Sequence, residues 1–174
     1  MQYNQALIQW CARLLLLAGV IAMFASSAAA QDVSLDPITW SLAAKEKLAP
    51  LKPGSTFNVQ LTAKIERGWH LYSLDQPEGG PKPTRINLPS EQPFELSGTI
   101  ESPEPHRAQD QNFGMEVEFY EEAVTFMLPV RVATNAPAGQ QKLQVQVRFQ
   151  TCNDQFCLPP KLLKFDLAVE VTGK

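Results

Sequence analysis

The segment LQVQVRFQTCNDQFCLPPKLLKFDLAVEV, residues 143–171, contains two runs of alternating apolar side chains separated by two cysteines. The first run is Leu143, Val145, Val147 and Phe149, and the second is Leu163, Phe165, Leu167, Val169 and Val171. Because successive side chains of a strand point to opposite faces, this spacing predicts two half-buried strands. We therefore expect a β-hairpin that carries Cys152 and Cys157 at its tip.

The same alternation occurs in residues 57–65 and 124–132, and shorter apolar segments lie at 38–42, 69–73, 84–88 and 94–96. Proline, glycine and asparagine separate these segments. The most helical run, residues 41–47, is too short to stand alone as a helix. The pattern predicts an all-β fold, an immunoglobulin-like antiparallel β-sandwich.

Several segments between the strands are predicted to be irregular. Residues 76–83 and 102–114 are rich in proline, glycine and polar side chains and are expected to form loops. Pro129 lies inside a strand pattern and lacks an amide donor, which predicts an edge or a bulge at that point. The nearby acids are expected to form a solvated face of a loop: Glu116, Glu118, Glu121 and Glu122.

The first thirty residues resemble an export signal. Arg13 precedes an apolar run from Leu14 to Ala25, and Ala28 and Ala30 form an A-x-A cleavage pattern. A membrane anchor is the alternative, but a span needs about 20 apolar residues. We expect cleavage after Ala30, one domain at residues 31–174, a periplasmic location and no membrane span after cleavage.

The remaining chain has 14 basic and 18 acidic side chains, a net charge of −4, because residues 1–30 contain one arginine and no acid. This charge gives no reason to expect nucleic-acid binding. Only two cysteines are close in sequence and the two histidines are scattered, so neither a zinc site nor a Ser-His-Asp arrangement is predicted. No cofactor is expected.

Cys152 and Cys157 admit two interpretations. A disulfide that closes a loop of about six residues contributes roughly 2 kcal/mol, against more than about 4 kcal/mol for a loop of a hundred residues, so it stabilises a fold weakly. A redox role fits this position, although an exported domain can also keep a local disulfide to hold a loop. The helix N-terminus that activates a Cys-x-x-Cys pair is absent from the pattern, and Asp154 disfavours a thiolate, so we expect exchange mainly with an aligned partner.

Three segments resemble the family of the N-terminal periplasmic domain of the thiol:disulfide interchange protein DsbD. They are QTCNDQFCLPPKLLKFDLAVEV at residues 150–171, GWHLYS at 68–73 and VEFYEEAVTFMLPV at 117–130. The resemblance implies an immunoglobulin-like domain that acts as a protein-disulfide reductase-type electron carrier. Its donor would be a thioredoxin-like domain or a membrane thiol reductase, and its acceptors would be exported disulfide isomerases or cytochrome c maturation proteins.

The resemblance also implies roles for individual residues. Cys157 would form the mixed disulfide with partners and Cys152 would resolve it. The cap over the cysteines and the lining of the site would comprise Glu118, Phe119, Tyr120, His70 and Tyr72.

The sequence departs from the family at three points, and it ends without the membrane portion and the thioredoxin-like domain of the family's proteins. The cysteines are one residue closer, Val117 replaces an acid, and His70 replaces a tyrosine. Because the chain ends at Lys174, we expect a lone module that takes electrons from separate proteins.

The rival interpretation is a non-catalytic exported binding or adaptor β-sandwich with a structural loop disulfide. A more distant one is a sandwich that binds extended peptides at a free edge.

Overall fold

The computed structural model describes residues 36–173. These residues form strands and no helix: β1 (Ile38–Ala44), β2 (Thr56–Ile65), β3 (His70–Tyr72), β4 (Arg85–Asn87), β5 (Phe94–Leu96), β6 (His106–Asp110), β7 (Met115–Tyr120), β8 (Ala123–Val132), β9 (Gly139–Phe149), β10 (Thr151–Cys152) and β11 (Lys161–Val171). Within this part of the chain, no segment is a helix of the length and apolarity that a membrane span requires. The predicted signal peptide, residues 1–30, and its cleavage site lie outside the described residues.

Two antiparallel sheets enclose the main core. The first has the strand order β1-β2-β8-β5 and the second has the order β11-β9-β4. In β2 and β8, and in β9 from Leu143 onward, every second side chain is buried, as the alternation predicted. The indole of Trp40 in the first sheet lies 5.1 Å from the ring of Phe149 in the second, so apolar side chains of both layers meet in one core. The fold is the predicted immunoglobulin-like antiparallel β-sandwich.

Pro129 lies in the interior of the first sheet, because β8 has β2 on one side and β5 on the other. Of the two positions predicted for Pro129, an edge or a bulge, the edge is therefore wrong. The carbonyl of Pro129 accepts from the amide of Ser97, so it faces the β5 side of the strand. The proline nitrogen, which carries no hydrogen, faces the same side. There it falls between the pair Leu96↔Val130 and the bridge Glu101↔Met127, where β8 has no regular partner. Ser97 donates its amide to the Pro129 carbonyl and receives no hydrogen bond in return, but β5 has already ended at Leu96, so the sheet loses a single bond at the end of a strand.

A third, smaller sheet has the strand order β10-β3-β7-β6. After Phe149 ends β9, the chain passes through Gln150 directly into β10, so one extended stretch links the core to the small sheet. Two predictions are corrected here. The segment 102–114, expected to be irregular, contains β6, and Glu116 and Glu118, expected in a loop, lie on β7. β6 was missed because four of its five side chains are exposed and give no alternation.

Candidate functional site

Cys152 and Cys157 form a disulfide across the hairpin tip, with Sγ atoms 1.99 Å apart and Cα atoms 4.0 Å apart. The two residues face each other in an antiparallel bridge. Outside the pair, the amide of Leu158 donates to the carbonyl of Thr151 at 2.9 Å, and inside it the amide of Asn153 donates to the carbonyl of Phe156 at 3.0 Å. The cysteines are therefore a non-hydrogen-bonded pair of the antiparallel hairpin. In such a pair the side chains of the two strands approach most closely.

The turn between the cysteines is held by polar contacts of its own. Asn153 Oδ1 accepts from the amides of Gln155 and Phe156, at 2.9 Å each. This is an Asx-type turn, in which the side chain replaces a backbone acceptor. None of these bonds uses a sulfur atom, so we expect the hairpin to keep its hydrogen bonds when the disulfide is reduced.

The two cysteines differ in burial. Cys152 is fully buried, whereas Cys157 is partly exposed. Cys152 packs with Tyr72 and Val117 in a small apolar cluster that is separate from the main core, and the partly buried members of this cluster are Phe113, Met115, Phe119 and Cys157. A molecule approaching from solvent therefore meets Cys157 before Cys152.

Strand β3 brings His70 and Tyr72 to the disulfide. His70 is the register partner of Cys152, and cross-strand partners project from the same face of a sheet. The imidazole centre lies 5.0 Å from the ring of Tyr72 and 5.1 Å from that of Phe119. Burial lowers the pKa of His70 below 6.5, against the opposing effect of Asp110, Asp154 and Glu121.

Asp110, at the end of β6, holds this corner of the site together. Its Oδ2 accepts from the hydroxyl of Tyr72 at 2.7 Å, and its Oδ1 accepts from the amides of Asn112 at 2.7 Å and Phe113 at 3.2 Å. His70 Nε2 is 3.5 Å from Oδ2, but this nitrogen is buried and makes no hydrogen bond within the described part of the chain. Burial, reinforced by Asp110, raises the pKa of Tyr72 far above its ordinary value.

Alternation along β7 divides the predicted cap residues between two faces. Met115, Val117 and Phe119 face the cluster around Cys152. Glu118 and Tyr120 project from the opposite face of the strand. The structure therefore brings Cys152, Cys157, His70, Tyr72 and Phe119 together and places Glu118 and Tyr120 away from the disulfide.

The contacts of Glu118 and Tyr120 agree with that placement. Glu118 Oε1 pairs with the guanidinium of Arg107 at 2.7 Å, and its Oε2 accepts from the hydroxyl of Ser73 at 3.3 Å. The ring of Tyr120 packs on Phe126 of the main core at 5.8 Å, and its hydroxyl donates to Ser102 Oγ at 2.9 Å. Both residues fix β7 in position from the side opposite the disulfide.

The turn between β6 and β7 touches the disulfide hairpin. Asn112 Nδ2 donates to the carbonyl of Asn153 at 2.9 Å. Beside this contact is a cavity of about 130 Å³ lined by residues of both hairpins and β3, among them His70, Asp110, Phe119, Asn153 and Asp154. Asp110, Asn112 and Phe113 were missed from sequence. The spacing Asp110-x-Asn112-x-Gly114, in which Gly114 has a φ of 65°, was a turn signal that could have located this hairpin.

Phe156 forms an aromatic pair at the outer side of the disulfide. Its side chain is 49% exposed, and its ring lies 5.4 Å from that of Trp69 in an edge-to-face arrangement. Because Phe156 directly precedes Cys157, this pair is an apolar surface next to the accessible cysteine. Among the described residues, no three His, Cys, Asp or Glu side chains are grouped closely enough to hold a metal ion.

Residues 41–168 match the family model described as "Thiol:disulfide interchange protein DsbD, N-terminal". Among solved structures, the reduced N-terminal domain of DsbD from Neisseria meningitidis is 16% identical, with a TM-score of 0.47, over 65% of this chain and 78% of that one. The N-terminal periplasmic domain of ScsB from Proteus mirabilis is 18% identical, with a TM-score of 0.49, over 78% of this chain and 47% of that one. A comparison with curated proteins gives no significant match.

Proposed function

The chain belongs to the family of the N-terminal domain of the thiol:disulfide interchange protein DsbD, and from that premise we propose that Cys152 and Cys157 carry two electrons between proteins by thiol-disulfide exchange. The observation that carries the proposal is the unequal burial of the two cysteines in a local disulfide. An accessible sulfur is needed for attack by a partner, and a sheltered one is needed to resolve the mixed disulfide.

The exchange proceeds in two steps. A donor thiolate attacks Cys157 Sγ, and the Cys152–Cys157 bond breaks with its electron pair going to Cys152, which takes up a proton. A second thiolate of the donor then attacks the mixed disulfide, and Cys157 leaves as a thiolate that is also protonated. The donor is oxidised to a disulfide and this domain becomes a dithiol. The reverse sequence passes the electrons to an oxidised acceptor.

The partners are proposed from the family. The donor is a thioredoxin-like domain or a membrane thiol reductase, and the acceptors are exported disulfide isomerases or cytochrome c maturation proteins. Export follows from the signal-like segment at residues 1–30, cleaved after Ala30, with the domain at residues 31–174 acting in the periplasm. The protein would be a protein-disulfide reductase-type carrier that needs no cofactor.

The exposed Phe156 supports docking of a partner beside Cys157. Aromatic side chains at the centre of a contact surface often contribute strongly to binding, and here the aromatic directly precedes the reactive sulfur. Phe119 covers the cluster around Cys152 and is the member of the predicted cap that faces the disulfide. Glu118 and Tyr120 act on the cap only by holding β7, through Arg107 and Phe126 respectively.

A trapping experiment tests this function. The probe is a thioredoxin domain that keeps only its nucleophilic cysteine, activated as a mixed disulfide with an aromatic thiol. The probe is added to the reduced full chain carrying Cys11→Ser, which leaves Cys152 and Cys157 as the only cysteines. The chain that keeps both Cys152 and Cys157, called the unaltered pair below, should release the thioredoxin thiol and close its own disulfide. With Cys152→Ser, a covalent complex through Cys157 should accumulate.

The matched control is Cys157→Ser, which leaves only the buried thiol and should give little complex. Efficient complex formation by this control would reverse the roles of the two cysteines. If the unaltered pair neither reacts with the probe nor releases thioredoxin, the exchange proposal fails. The disulfide would then be structural, as in the adaptor interpretation.

A further inference from the structure

Cys152 sits in surroundings that oppose its ionisation. It is fully buried in an apolar cluster, and burial in apolar surroundings raises the pKa of a thiol. The ionisable groups that face this corner are Asp110 from β6, Glu121 after β7, Asp154 at the hairpin tip and Tyr72 from β3. The cavity beside it is lined by three of these carboxylates and, among the described residues, by no lysine or arginine. Within the described residues, this lining offers a thiolate on Cys152 no lysine or arginine as a counter-charge.

His70 is the one imidazole in this group, and unlike the carboxylates it carries no negative charge that would repel a thiolate. It is the register partner of Cys152, so its imidazole projects from the same face of the small sheet. Its Nε2 is buried and makes no hydrogen bond within residues 36–173, which leaves the ring able to take part in a new one. Because burial lowers its pKa, the ring is neutral at pH values where a thiol must lose its proton.

We propose that His70 accepts the proton of the Cys152 thiol when Cys152 attacks the mixed disulfide between Cys157 and a partner. This inference deepens the proposed function and rests on it. The Cys152 S–H bond breaks, the proton moves to a ring nitrogen of His70, and the Cys152 sulfur bonds to the Cys157 sulfur. The bond from Cys157 to the partner breaks, and its electron pair leaves on the partner as a thiolate. The imidazolium then gives its proton to that thiolate or to solvent.

Asp110 positions and stabilises the charged ring. Its Oδ2 is 3.5 Å from Nε2, and it cannot turn away because both of its oxygens accept hydrogen bonds, from Tyr72, Asn112 and Phe113. A fixed carboxylate beside an imidazole favours the imidazolium form. Proton transfer thus produces a thiolate and an imidazolium side by side, with the imidazolium also facing Asp110, in place of an isolated buried thiolate.

The test separates the two chemical steps in time. Reduced full chain carrying Cys11→Ser is mixed with dithionitrobenzoate, an aromatic disulfide whose thiolate absorbs visible light when released. Attack by Cys157 releases the first thiolate and leaves a mixed disulfide, and attack by Cys152 releases the second. The rate of each phase is measured as a function of pH.

His70→Gln should slow the second phase at least about tenfold near neutral pH, within the range of general-base effects, and move its pH dependence upward. The first phase should keep its rate. The control is His106→Gln, since His106 is exposed on β6 and is the only other histidine in the sequence. Its ring lies against Phe119, 5.9 Å between centroids, and not beside Cys152, so the pH dependence of the second phase should stay unchanged. His70→Tyr keeps an aromatic ring in this space but should be as slow as His70→Gln.

An unchanged pH profile of the second phase in His70→Gln would overturn the role of His70 and leave the exchange function intact. Release of only one thiolate per molecule when both cysteines are present would reject both. If the His70 variants do not fold, NMR titration of the imidazole protons in the unaltered pair gives a separate readout. Reduction should add a second inflection to the His70 curve, caused by ionisation of Cys152, and a single inflection in both redox states would refute the proposal.

Discussion

Reduction of the Cys152–Cys157 disulfide should lower the free energy of unfolding by only about 2 kcal/mol. The covalent loop spans a sequence separation of 5, and the chain-entropy relation for a loop of about six residues gives a value of that size. The native side of the equilibrium changes little. The hydrogen bonds of Asn153 and Leu158 do not involve sulfur, and Cys152 keeps its apolar contacts as a thiol.

Urea unfolding of the oxidised and reduced full chain, each carrying Cys11→Ser, measures this difference. With a slope of about 2 kcal/mol per molar urea, the midpoint should fall by roughly 1 M on reduction. Tryptophan fluorescence follows the transition, because Trp40 lies in the main core and Trp69 lies against Phe156 in the edge pair. The double variant Cys152→Ala, Cys157→Ala is the control and should unfold near the midpoint of the reduced protein.

A loss of about 4 kcal/mol or more, or unfolding on reduction alone, would contradict the reasoning. A loss of that size corresponds to a covalent link that restrains a far longer segment of the unfolded chain. It would mean that the hairpin depends on the disulfide for its structure. The structural interpretation would then be preferred to the redox one.

Three further predictions follow from the same contacts. Tyr72→Phe should lower the free energy of unfolding by about 1 to 3 kcal/mol, measured by urea unfolding, because the buried Asp110 loses its hydroxyl donor. Phe156→Ala should slow exchange with a thioredoxin-like donor several-fold with a stability change within about 0.5 kcal/mol, whereas Leu162→Ala, equally exposed on β11, should leave the rate unchanged. His70 should make the free energy of unfolding fall as the pH is lowered below 6.5, because its pKa is lower in the folded state and the unfolded state therefore binds the proton more readily. Urea midpoints measured across this pH range should fall less in His70→Gln, which lacks the contribution of His70.

The sandwich could be predicted from sequence because each long strand has one face in the core. The alternation in residues 57–65, 124–132 and 143–149 matches the buried positions of β2, β8 and β9. Burial on one face requires apolar side chains at every second position, and that requirement is visible in a single sequence. The predicted hairpin of β9 and β11 follows from the same alternation.

The small sheet was predicted less well, for two different reasons. β6 is an outer strand with exposed side chains on both faces, so nothing in its composition distinguishes it from a loop. β7 does alternate, with Met115, Val117 and Phe119 on one face, but its glutamates and the resemblance to a cap loop favoured an irregular segment. A strand at that position would have placed Glu118 and Tyr120 away from the disulfide from the start.

Asp110 could not be assigned to the site from sequence. It is 38 residues from Tyr72, and only the pairing of β3 with β7 and of β7 with β6 brings the two side chains together. A polar residue in a turn gives no sign of which distant hydroxyl it will accept from. The turn signal around Gly114 indicates a hairpin, but the partner of that hairpin is set by the tertiary fold.

The position of the disulfide reconciles redox chemistry with a stable fold. Cys152 belongs to the small cluster with Tyr72 and Val117, and the main core between the two large sheets contains neither cysteine. Making or breaking the sulfur bond therefore changes contacts in the third sheet while the sandwich keeps its packing. The link between them is short: Phe149 is buried in the core, and Thr151 and Cys152 pair with β3 after a single intervening residue. Because the core fixes β9, it also restrains the backbone of Cys152 next to His70, and we expect the site to keep this alignment when the disulfide is reduced.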